Sequence, residues 1–161
     1  MDNTMILKNV LFALSLAGLV TACGGPGGDA TVPVAEPAEA TSADIGNHVV
    51  HFNAQSTDAL SPEIARANDI TRSKDMAMLT VSVIGKSDNK PVAADVKVKA
   101  VNLTGQLKSI SLRKADVPDA IYYIGTVSID NRETLVFDIT VKPDGASEAS
   151  NVRFKRQFYT D

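Results

Sequence analysis

The chain has 161 residues, 44% hydrophobic and 22% charged, with a formal net charge of −3. That length and balance fit one globular domain. They exclude a chain disordered throughout, a polytopic membrane protein, and a basic protein built to grip nucleic acid. One cysteine excludes an intrachain disulfide framework and a cysteine-based zinc site.

Residues 5–23 carry a single lysine, Lys8, ahead of an apolar run from Val10 to Val20. Eleven residues suit the hydrophobic region of a secretory signal and are short for a membrane span. The run ends in Val20-Thr21-Ala22-Cys23, which resembles the lipobox of bacterial lipoproteins. That resemblance implies diacylglyceryl transfer to the Cys23 thiol, cleavage before Cys23 and acylation of the new amine. Two or three acyl chains anchor far more firmly than one. Gly24 stands where an aspartate would imply retention in the inner membrane, so the expected location is the periplasmic face of the outer membrane. Asp2 lies ahead of Lys8, and translation from Met5 would give a cleaner leader.

Residues 23–44 read as the lipidated cysteine and a disordered tether. Gly, Ala, Pro, Thr, Ser and acidic residues dominate, with no aromatic or basic side chain. Such a composition cannot bury enough apolar surface to order itself. As a coil, the segment after Cys23 spans roughly 25 Å, with a contour limit of about 70 Å. Asp29, Glu36, Glu39 and Asp44 account for the acidity: residues 45–161 hold 15 Lys/Arg and 14 Asp/Glu.

From residue 45 the hydrophobic period is two, which predicts half-buried strands. Seven runs carry it: Val50–Ala54, Leu79–Val83, Val96–Ala100, Ile110–Leu112, Ile121–Ile129, Leu135–Val141 and Val152–Phe158. Turn signals lie between them at Gly85–Pro91, Thr104-Gly105, Pro118-Asp119, Asp130-Asn131 and Pro143–Gly145, with Asn131 and Gly145 suited to positive φ. The expected fold is all-β: an antiparallel two-sheet, immunoglobulin-like sandwich of about seven strands. One short helix interrupts it. Ser61-Pro62-Glu63 supplies an N-cap, a proline at the first position and an acid in the first turn, with Ile64 and Ala65 facing inward and an end near Asn68.

Several segments resemble the domain-of-unknown-function 4426 family, a group of small exported gammaproteobacterial proteins. They are His51–Ala54, Leu60–Ala65, Ile70–Lys74, Asn102–Gln106, Ala120–Tyr123 and Gln157–Tyr159, in that order. The resemblance covers residues 46–161. It implies a fold and a compartment, and brings no activity, cofactor or catalytic residue. Segment Lys90–Val96 is more loosely similar to periplasmic sandwich modules that accompany metal or oxidase assembly.

Chemistry-bearing residues are few. The domain lacks a cysteine, a G-x-S-x-G elbow, an H-E-x-x-H pair and a phosphate-cradling glycine loop, so no enzyme activity, catalytic residue or cofactor is expected. Arg153, Lys155 and Arg156 lack stacking platforms for nucleic acid. Arg72 and Lys74 form a small cationic loop, and back-to-back Tyr122 and Tyr123 put one aromatic inside and the other, Tyr122, outside. Arg72, Lys74 and Tyr122 are the candidate binding surface for an envelope protein partner. A second reading is a periplasmic copper-handling module using His48 or His51 with Met76 and Met78, since imidazole and thioether suit copper. A spacing of three puts His48 and His51 on opposite faces of a regular strand.

Overall fold

The computed structural model describes residues 40–161. Cys23, the leader and residues 24–39 of the tether lie outside the described residues. Nine strands are present: β1 Ser42–Ile45, β2 His48–Ser56, β3 Met76–Gly85, β4 Ala94–Asn102, β5 Leu107–Lys108, β6 Arg113–Val117, β7 Ala120–Ser128, β8 Thr134–Pro143 and β9 Ser150–Gln157. They form two antiparallel sheets, β1-β2-β3-β7-β6 and β5-β4-β8-β9. The chain crosses between sheets after β3, β5 and β7.

Strands β1, β5 and β6 are added to the expected seven, and one expected strand is absent. Strand β1 takes Ser42–Asp44 from the segment read as tether, pairing Ser42 with His51 and Ile45 with His48. The run around Ile110 and Leu112 has no sheet partner. It is the crossover between β5 and β6, and it lies over Gly125 of β7. A Cβ at Gly125 would sit 2.7 Å from the Ser111 carbonyl oxygen, so only glycine admits the crossover at this height.

Alternation explains the core. Val50, Phe52 and Ala54 of β2 and Leu79, Val81 and Val83 of β3 face Leu135, Phe137, Ile139 and Val141 of β8 and Val152 and Phe154 of β9. The Phe154 ring stacks between Phe52 at 4.7 Å and Phe137 at 4.9 Å, centroid to centroid. These offset contacts take the place of the absent tryptophan and disulfide. Tyr123 is buried, and its hydroxyl accepts a 2.7 Å bond from the Ala94 amide on the opposite sheet.

Between β2 and β3 lie a 3-10 turn, Thr57–Ala59, and helix α1, Pro62–Ala67. Ser61 caps the helix, accepting from the Ile64 amide at 3.3 Å, and Asn68 ends it. Ala65 turns inward, but Ile64 is half exposed, because six residues of helix present only a narrow stripe to the sheet. Beneath α1, Leu60, Ala65, Met78 and Ile124 form a second apolar cluster on the outer side of the first sheet. At the turn after Ser128, Arg132 rather than Asn131 takes positive φ, while Gly145 does so in the next hairpin. Asn131 instead uses its side-chain oxygen to accept from the Thr160 amide.

Candidate functional site

The outer face of the first sheet carries a shallow groove of about 250 Å³ lined by Thr41, His51, Phe52, Asn53, Thr80, Ser82 and Tyr122. Its construction follows from register. On β2 and β3, His51 lies opposite Ser82 and Asn53 opposite Thr80. On β7, Tyr123 pairs with Val81 and points inward, so Tyr122 points out, 36% exposed, beside Ser82. Among the described residues, the side chains of His51, Thr80, Ser82 and Tyr122 make no hydrogen bond to protein. Asn53 accepts from Arg156 Nη2 at 3.2 Å. An aromatic ring ringed by unspent hydroxyl, imidazole and amide groups can bind a polar surface without a formal charge.

The remaining candidates do not join it. Arg72 donates to the Asp58 carbonyl oxygen at 2.5 Å. Its loop is pinned by buried Thr57, whose hydroxyl lies 3.0 Å from the carbonyl oxygens of Thr71 and Ser73 and accepts from the Ser73 amide at 2.9 Å. Lys74 is exposed next to this loop. Both cations sit near the Met76–Ser128 end of the sheet, and Tyr122 lies six residues along β7 from Ser128, about 20 Å away. Arg72, Lys74 and Tyr122 therefore do not form one surface.

The copper candidates are also dispersed. His48 and His51 face opposite sides of β2, as their spacing requires. Met78 is buried under α1 and pairs with Gln55, four residues along β2 from His51, about 13 Å. Met76 lies a further pair toward the strand end, opposite Ser128 on β7. No group of three His, Cys, Asp or Glu side chains able to hold a metal occurs among the described residues.

A polar cluster at one end of the second sheet escaped the sequence reading. Lys108 Nζ lies 2.9 Å from Glu133 Oε1 and 3.0 Å from Asp130 Oδ2, and the Lys108 and Glu133 side chains are 9% and 8% exposed. Asn102 Nδ2 donates to Glu133 Oε1 at 3.0 Å, and the Asp130 amide donates to Oε2 at 2.9 Å. Burial pushes the Glu133 carboxyl up, but the bonds from Lys108, Asn102 and the Asp130 amide outweigh it and hold the group below its usual range. Burial likewise works against the Lys108 charge, and Glu133 and Asp130 together raise it above its usual range. Asn102 Oδ1 meanwhile accepts from the Thr104 amide, the Thr104 hydroxyl and the Gln106 amide. The Asn102–Gln106 motif is thus a self-bonded turn joining β4 to β5. Thr104-Gly105 marked the turn in the sequence, but not the side-chain bonds that close it.

Comparison with known proteins agrees with this fold. A crystal structure of a DUF4426 family protein from Pseudomonas aeruginosa superimposes with a TM-score of 0.65 at 32% identity, covering 76% of this chain and 96% of that one. A copper-bound variant of FetP from uropathogenic Escherichia coli strain F11 matches with a TM-score of 0.53 at 10% identity, over 73% of this chain and 93% of that one. FetP of the same strain, as isolated from periplasmic expression, matches at 0.51 and 10%, over 73% and 92%. The two FetP likenesses concern the fold alone. Among curated proteins, none matches the chain. The family model for the domain of unknown function DUF4426 matches residues 42–161, and the chain belongs to that family.

Proposed function

We propose that this protein is an outer-membrane-anchored periplasmic lipoprotein whose sandwich serves as a non-catalytic binding or accessory module for an envelope protein. The anchor rests on Val20-Thr21-Ala22-Cys23, with Gly24 directing the lipidated chain to the outer membrane. The binding role rests on Tyr122 and its unspent polar neighbours. Exposed aromatics flanked by polar groups favour protein contacts, because the ring adds apolar area while its hydroxyl stays satisfied at the rim. His48, His51, Met76 and Met78 are too dispersed to carry the copper reading.

Crosslinking in intact cells tests the binding role. A photoreactive amino acid placed at Tyr122 should give a reproducible adduct, and one placed at Thr140 on the opposite sheet should not. Equal adducts from both positions, or none from Tyr122, would overturn the assignment. The anchor is tested separately: Cys23→Ser should move the protein from the membrane fraction to the soluble periplasm.

A further inference from the structure

Alternation along three neighbouring strands sorts charge as well as hydrophobicity. With Val96, Val98, Val141, Val152 and Phe154 turned inward or toward the core, the outer face of the second sheet receives Lys97, Lys99, Lys142, Arg153 and Lys155. All five are exposed. The acids that share this face are Asp95 and Asp138. Asp95 lies 3.0 Å from Lys97 Nζ, and Asp138 accepts both Nε and Nη2 of Arg153. Among the described residues, Lys99, Lys142 and Lys155 have no ion-pair partner. Residues 42–161 as a whole hold 15 Lys/Arg and 15 Asp/Glu. The domain is therefore neutral but polarised, with an excess of three positive charges spread over roughly 10 by 20 Å of one face.

We propose that this face docks on an anionic lipid surface. The face is broad, with a shallow groove of about 450 Å³ beside Asp138, Asn151 and Arg153, and its lysine heads stand on apolar stems around it, a form suited to phosphate headgroups. The occupant follows from charge complementarity and from reach. This rests on the anchored reading for its location, because about 60 Å of chain at most separates Cys23 from β1. With that sheet on the lipid, the Tyr122 groove on the other sheet points away from the membrane.

Co-sedimentation with vesicles tests the docking without using the anchor. The domain can be taken alone, since the described residues lie in one compact unit and the match covers 96% of the P. aeruginosa chain. At 20 mM salt it should bind vesicles containing 40% phosphatidylglycerol, ignore pure phosphatidylcholine, and be released at 0.5 M salt. Lys99→Glu with Lys155→Glu should weaken partitioning by at least about tenfold. Lys114→Glu, on the other sheet, should leave it unchanged. Equal binding to both vesicle types, no binding at low salt, or no effect of the double variant would overturn the proposal. So would capture by polyglutamate with no response to the anionic vesicles, which would assign the face to an acidic protein. Because no lipid is attached in this assay, its failure leaves the Cys23 fractionation result independent.

Discussion

Glu133 shows how a buried charge is made tolerable. Three donors surround it: an ammonium, an amide side chain and a backbone N–H. Its folded-state affinity for protons is lowered, so its contribution to stability is complete above its ordinary pKa of 4.5 and is lost as the pH falls through the depressed value. Glu133→Gln should cost about 1–2 kcal/mol at neutral pH. The gap between variant and native protein in urea denaturation should close as the pH is taken well below 4.5. Lys108→Met should cost more, about 3 kcal/mol, because it leaves a buried carboxylate without its counter-charge. Neither residue stood out in the sequence. Their partners are brought together by the β4–β5 turn and the β7–β8 turn, which are far apart along the chain. Tyr122, by contrast, was readable, since adjacent tyrosines on one strand must part to opposite faces.

At the level of elements, the legible ones had a strong local signal. Helix α1 was marked by Ser61, Pro62 and Glu63, and the long strands by uninterrupted alternation. The failures have equally local causes. Ile110 and Leu112 alternate like a strand, yet their apolar side chains pack on the core from a crossover that no neighbouring strand pairs. Alternation reports which side chains are buried, not whether the backbone has a partner. Strand β1 has only Ala43 and Ile45 to announce it, and it follows a Gly- and Pro-rich run. Gly125 is the counterpart of the misread crossover. Gly125→Ala should cost about 2 kcal/mol and lower the thermal midpoint, because the contact at 2.7 Å is with backbone that cannot rotate away. An unchanged midpoint would mean that the crossover is free to lift.

On the scale of the whole molecule, one stack of three phenylalanines closes the space between the sheets. Phe154 is its middle ring and Phe137 its fully buried end, so Phe137→Ala should cost about 4 kcal/mol in denaturant, the largest effect among single core substitutions. Phe137→Leu should cost clearly less, because part of the volume is refilled. The two-sheet architecture followed directly from the sequence because both inner faces are continuous runs of aliphatic residues. Strand order did not follow, since the three crossings between sheets depend on which loops can span the sandwich. The outward-facing residues were readable one by one, but their grouping into the Tyr122 groove and the lysine face required the register.

The register of β8 against β9 has a consequence of its own. It pairs Phe137 with Phe154 inside and Asp138 with Arg153 outside. A slip of one residue would expose the phenylalanine and bury the arginine, so the two faces enforce the same alignment. Arg153 shares in holding that alignment, while the four outer lysines are released from any duty to the fold. Positions 97, 99, 142 and 155 can drift in charge while positions 96, 98, 141, 152 and 154 stay fixed. Relatives sharing this sandwich are then expected to differ most in the sign and strength of that outer field, and a graft of four side chains would transfer it from one to another.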